Sequence, residues 1–246
     1  MFALAASAPP GLAQSVADIA PALQGFGTSA LPASLTGQSI LLIAAVTVLS
    51  LAPGIAVMVT CFPFLVTVLS ILRQALGLPQ APPNTLIVSL ALFLTWYIME
   101  PVFAEAWARG VVPLMDGSLD LPAAAERAVA PFRVFMAGRA DPGTVERLAA
   151  LRPAGAGATP PSTPDAIPLS VLVPAFMLSE MTRAFQIGFL IFLPFLVIDL
   201  VVSAVLMSMG MLMVPPAVVA LPFKLAFFVL ADGWTLLSEA LVRSYV

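Results

Sequence analysis

Five charged residues stand apart in the most apolar part of the chain: Glu180, Arg183, Asp199, Lys224 and Asp232, between Val171 and Leu237. An ionised side chain facing lipid costs about 2.5–3.5 kcal/mol on translocon scales, so such charges usually face protein or water and find partners. Peptide-bond cleavage is one chemistry open to carboxylates in a membrane, but an aspartyl protease there needs two of them and a Gly-Asp turn. The chain offers Asp199 alone in "VIDLV", and Asp232-Gly233 runs in the reverse order. Histidine is absent and Cys61 is the only cysteine. That removes a Ser/His dyad or triad, the commonest zinc ligands and any disulfide within the chain. No catalytic residue, metal site or cofactor is expected. The reading that remains is charge pairing that holds an assembly together, ahead of a substrate or proton pathway and of a position at a membrane interface. Glu180 and Arg183, three apart, share a helix face. Asp199 and Lys224 flank a methionine segment almost symmetrically, as partners across a hairpin or between subunits.

That segment, "SMGMLMVPP" (208–216), places Met209, Gly210, Met211, Leu212 and Met213 before a double proline. Methionine is an adaptable filler of apolar cores, which is the plain reading of three in five positions. Glycine between them and prolines after them predict a bent loop instead of a helix.

The elements that must hold these residues follow from composition. Of 246 residues, 61% are hydrophobic and 9% charged, well above the ~45–50% apolar content of soluble domains. The fold class is therefore an all-α membrane protein, expected as two kinked helical hairpins, about four apolar helices, carrying a small soluble helical insert. With a net charge of −3 and ten scattered basic residues, there is no stripe for nucleic acid.

Residues 1–39, rich in Ala, Gly, Ser and Pro without a basic residue, read as an exported leader, either the remnant of a signal peptide or a plain leader. The first hairpin is expected over 40–104. Ile40 to Leu72 is uncharged and would make one helix ~50 Å long, more than a ~30 Å hydrocarbon core needs, so Pro53 and Pro63 must break or kink it. "RQALGLPQAPPN" turns the chain, with Arg73, Gly77 as a helix C-terminal glycine, and Pro82, Pro83 and Asn84 ahead of a returning helix from Leu86 to about Ala104. Residues 105–170 change character and hold Arg109, Arg127, Arg133, Arg139, Arg147 and Arg152 among acidic residues. "LPAAAERAVAPFRVFMAGR" and "DPGTVERLAAL" predict short amphipathic helices, the second capped by Asp141; "RPAGAGATPPSTPDAIP" has linker composition. The second hairpin, 171–246, carries the methionine loop. Four crossings follow from hydropathy, with Arg73 placing the first turn in the cytoplasm and the insert on the opposite side.

Two long stretches carry a resemblance. "VLSILRQALGLPQAPPNTLIVSLALFLTWYIMEPVF" (68–103) and the stretch from "LVPAFMLSEMTRAFQIGF" through "LPFLVIDLVV" and "PFK" to "DGWTLLSEALVRSY" (172–245) resemble the signature regions of the FliP family of flagellar type III export-gate proteins. The resemblance implies a protein of the bacterial inner membrane and flagellar basal body. Its partners would be other copies of itself, FliQ-like and FliR-like subunits, unfolded export substrates and membrane lipids. It also implies that Met209 to Met213 form a gasket across a closed pore. The sequence departs from the family where Leu212 stands in a run that is usually three methionines, and where "TCFPFLVTVL" lacks a basic residue and adds Pro63. The SctR family of injectisomes shares AFQIGF and DGW and is the nearest alternative. A small-solute transporter with broken helices is another, but it would predict inverted repeats, and the two hairpins do not align as such.

Overall fold

The computed structural model describes residues 54–78, 81–151, 167–211 and 213–245, together with isolated helical positions between Ile43 and Ser50. The leader, the linker over 152–166 and Leu212 lie outside the described residues. Gly54–Val246 forms one compact unit. All regular structure described is helical: α1 (Phe62–Ala75), α2 (Asn84–Ala106), a π-turn (Trp107–Val111), α3 (Val112–Met115), α4 (Leu121–Arg139), α5 (Pro142–Ala150), α6 (Leu169–Ser208), α7 (Pro216–Leu230) and α8 (Gly233–Arg243).

Pro63 sits at the start of α1, where a missing N–H costs nothing because the first-turn donors have no helical acceptor. A break in the apolar run falls just before it, at Thr60 and Cys61, while Pro53 lies outside the described residues. Helix α1 presents Phe64, Leu65, Val68, Leu69, Leu72 and Ala75 to the core, a three-and-four spacing that makes one continuous stripe. Against it lie Ile87, Ala91 and Met99 of α2 and Ala184 and Phe195 of α6. The turn between α1 and α2 uses Gly77 at φ +76° and a bond from the Arg73 guanidinium to the Asn84 side chain. Pro83, in extended conformation, leads directly into α2.

The segment expected as an insert starts while α2 is still helical, since Glu105 and Ala106 are its last residues. Its helices do not stand apart. Met136, Ala140 and Val145 share a second core cluster with Val171, Leu172, Ala175 and Phe176 at the start of α6, and Phe135 meets Phe176 edge-on at 5.8 Å. Asp141 caps α5 by accepting the Thr144 N–H at 2.8 Å.

Helix α6 runs 40 residues, through Pro174 and Pro194 without interruption. At ~1.5 Å per residue it is ~60 Å long, twice the hydrocarbon thickness. The return arm is bent by 61° between α7 and α8. By length and composition, two of the described helices can cross a membrane, Asn84–Met115 and Leu169–Ser208, or three if the bent pair counts as one span. The expected four crossings are not all present among the described residues, because α1 is an apolar helix of only 14 residues.

Candidate functional site

The hairpin of α6 and α7 carries both the isolated charges and the methionines. Asp199 and Lys224 face each other across it, with the ammonium 2.6 Å from Oδ2 of the carboxylate. Lys224 is buried, whereas the Asp199 side chain is 39% exposed. That exposure does not reach Oδ1, which is buried and has no hydrogen-bond donor among the described residues. Lys224 also donates to the backbone carbonyl of Ala75 at 3.1 Å. The last-turn carbonyls of a helix are left without amide partners and carry partial negative charge, so the ammonium joins α7 both to α6 and to the end of α1.

Glu180, 1% exposed, is the centre of a second cluster. Its Oε1 accepts from Arg183 at 3.1 Å and from Arg139 Nε at 3.0 Å, and its Oε2 accepts from the Tyr245 hydroxyl. Arg139, at the end of α4, also donates to the Ser244 carbonyl at 2.8 Å and lies over the Tyr245 ring, 4.0 Å from its centroid. The ring contacts Phe64 edge-on at 5.4 Å and stacks on Phe135 at 6.1 Å. Burial, then the Glu180 carboxylate, push the phenol of Tyr245 above its ordinary range, so it stays a donor. Arg183 is half-exposed. The cluster therefore ties α4 and the residues after α8 to α6. Arg139 and Tyr245 were not legible as partners, since they lie 41 and 65 residues from Glu180.

Asp232 is not a buried charge. It is exposed, in left-handed conformation at φ 48°, and accepts the Thr235 hydroxyl at 3.1 Å. The physical reason is its place at the bend between α7 and α8, where the chain needs a residue that tolerates that conformation, as aspartate does.

At the tip of the hairpin, α6 ends in a Schellman turn: Gly210 N–H bonds to the Met207 carbonyl at 3.0 Å and Met211 N–H to the Leu206 carbonyl at 3.0 Å. Gly210 supplies the left-handed position, φ +75°. Pro215 and Pro216 then start α7. Between them Met209, Met211 and Met213 are 66%, 39% and 97% exposed, so none fills the core of this chain. Core filling, the plainer of the two readings of this segment, is not what these side chains do within one molecule.

Apolar exposure extends well beyond the loop. Phe93, Trp96 and Tyr97 on α2, Phe189, Leu190 and Val201 on α6, and Val229 and Leu230 on α7 are all more than half exposed. Faces of this extent belong against lipid or other protein chains.

A profile of the FliP family matches residues 45–241. The chain belongs to the FliP family. At 47% identity over 234 residues, 95% of this chain and 84% of the relative, it is similar to the flagellar biosynthetic protein FliP of Caulobacter vibrioides. It is 49% identical to that of Agrobacterium fabrum over 200 residues (81% of this chain, 80% of the relative). It is 45% identical to that of Bacillus subtilis over 208 residues (85% and 92%). The FliP match spans α1 through most of α8, and so covers the Lys224 junction, the Glu180 cluster apart from Ser244 and Tyr245, and the methionine loop.

Proposed function

We propose that this chain is a core subunit of the flagellar type III protein export gate in the bacterial inner membrane. Several copies join FliQ-like and FliR-like subunits around a path for unfolded substrates, and the insert lies on the periplasmic side. Within that assembly, Met209 to Met213 of each copy form a deformable apolar seal. The observation that carries the reading is the exposure of all three methionines on a glycine-hinged turn at the end of a 40-residue apolar helix. A seal must exclude water and ions yet part for a passing chain, and unbranched methionine repacks more cheaply than leucine or phenylalanine.

Replacing Met209, Met211 and Met213 together by Ala tests it. The side chains are exposed and belong to neither core cluster, so the assembled complex forms, but the narrowed ring widens and the membrane conducts small ions. Val201→Ala, at an exposed position on α6, should not conduct. Wild-type conductance from a triple variant that assembles would reduce the methionines to packing.

A further inference from the structure

Two outward helix faces share one spacing and carry single charges of opposite sign. On α2, Leu86, Ser89, Phe93, Trp96 and Glu100 recur every three or four residues, and all are exposed. On α6, Arg183, Gln186, Leu190, Leu193 and Val197 repeat that spacing, and all but the half-buried Arg183 are exposed. An alternation of three and four residues makes a straight seam for a second helix. Each seam has its charge at one end, where a carboxylate closes the first and a guanidinium opens the second.

Neither charge is satisfied within its own chain. Glu100 makes no ion pair among the described residues. Glu180 answers two guanidiniums, and of these Arg183 is the more exposed, its side chain 36% accessible against 19% for Arg139. The directions of the helices bring the two charged ends together. Helices α1 and α6 run the same way, since Thr67 donates to Met181 Sδ at 3.9 Å and Ile71 packs on Gly188 further along both. Helix α2 returns along α1 after the Arg73–Asn84 turn, and is therefore antiparallel to α6. Copies arranged about an axis along the bundle keep these directions. When α2 of one copy is laid on α6 of the next, Glu100 meets Arg183, Phe93 meets Leu190, Ser89 meets Leu193 and Leu86 meets Val197.

We propose that the outer face of α2 docks on the α6 seam of a second copy of this chain, with Glu100 of one copy paired to Arg183 of the next. A carboxylate covered among Phe93 and Trp96 needs a cation, because an unpaired buried charge is strongly destabilising. The guanidinium has five donors in a planar fork, so Arg183 can hold Glu180 and Glu100 together. The two charges do not lie level in one chain: Phe103 packs on Phe132 and Phe135 on Phe176, which sets the end of α2 beside the first turns of α6. Joining them displaces each copy along the axis and makes the contact head-to-tail, with two different patches repeated from copy to copy. The inference rests on the self-assembly proposed above.

The test uses two separately tagged full-length copies with Cys61→Ala, one carrying Ser89→Cys and the other Leu193→Cys, co-expressed with the other gate subunits. A short bismaleimide should join them into a product that carries both tags, and should join neither variant to itself when it is expressed alone. Gln186→Cys in place of Leu193→Cys should lower the yield several-fold, because it lies two turns away along α6. Glu100→Lys in the Ser89→Cys copy should lower it likewise, since the charge at the seam's end would then repel Arg183. Cross-linking of the Ser89→Cys copy to itself overturns the head-to-tail arrangement. Equal yields at Leu193 and Gln186 overturn the register, and a yield unchanged by Glu100→Lys overturns the ion pair. No product from tagged copies that still co-purify overturns these surfaces while self-assembly stands, and α2 then faces lipid or a different subunit. Copies that do not co-purify overturn self-assembly itself.

Discussion

Lys224 donates to the carbonyl oxygen of Ala75 at 3.1 Å across 149 residues of sequence. The ammonium closes the end of α1 while its charge is met by Asp199, 2.6 Å away. One side chain therefore joins both hairpins, and the two members of the ion pair are not equivalent. Lys224 is almost wholly enclosed and Asp199 has an open flank. Asp199→Ala leaves a buried ammonium with a carbonyl as its only partner, a loss in the range of about 3–5 kcal/mol. Lys224→Met keeps the apolar stem and leaves a carboxylate that water can reach on one side, which costs less. Thermal unfolding of the two purified variants should rank Asp199→Ala as the less stable; the opposite order would place the burden on the carboxylate.

Glu180 gives a second prediction. Tyr245→Phe keeps the ring contacts with Phe64 and Phe135 and removes only the hydroxyl donor, so it should cost about 1–3 kcal/mol for an acceptor left short of a partner in a buried site. Arg139→Ala removes a charge, two hydrogen bonds and the stack on Tyr245, and should cost more. If Tyr245→Phe unfolds at the wild-type temperature, the hydroxyl bond does not hold the residues after α8.

What could be read from the sequence divides by distance along the chain. The α4 boundaries, the Asp141 cap and the Gly77 and Gly210 turns depend on residues within four or five positions, where local signals are strong. Glu180 and Arg183 were legible as neighbours for the same reason, one helical turn apart. Arg139 and Tyr245 reach Glu180 through tertiary packing and left no periodic trace. The bond from Lys224 to Ala75 was invisible in principle, because its acceptor is a backbone carbonyl that every residue possesses. Asp232 misled because an isolated charge in apolar sequence suggests a buried pair, whereas here it marks the bend that exposes it.

The Asp141 cap makes a pH prediction. Bonds from the Thr144 hydroxyl and N–H hold the Asp141 carboxyl below the ordinary carboxylate range. A folded-state pKa lowered in this way contributes stability that is present above the unfolded value and is lost as pH falls through the folded one. Hydrogen exchange at Thr144 and Val145 should thus be unchanged from neutral pH down to about 4, after correction for intrinsic rates, and should lose protection below that. Asp141→Ala should remove the acid step and leave α5 frayed at every pH. An acid step that persists in the variant would have another origin.

Membrane orientation is open to labelling. Ser118 is exposed in the turn between α3 and α4, and the lone Cys61 is buried, so background reaction is small even before Cys61→Ala is added. A cysteine replacing Ser118 should react with a membrane-impermeant thiol reagent in intact spheroplasts. Labelling only after lysis would place the insert in the cytoplasm.

Gly210 tests the methionine loop without touching a methionine. At φ +75° an L side chain is strained by roughly 1–2 kcal/mol, while a Cβ there would meet nothing within 4 Å. Backbone strain is then the whole effect, with no clash to confuse it. Gly210→Ala should destabilise the Schellman turn, and Gly210→Asn, which tolerates the left-handed region, should recover most of the loss. The bonds at risk are those from Gly210 to Met207 and from Met211 to Leu206. They set where Met211 and Met213 leave the helix end, so relaxing them shifts the methionines without changing their number. Conductance of assembled complexes should follow the same order, with Ala leakier than Asn and Asn close to glycine. Equal conductance in all three, with Ala destabilised as expected, would mean that the seal does not depend on how this turn aims the loop.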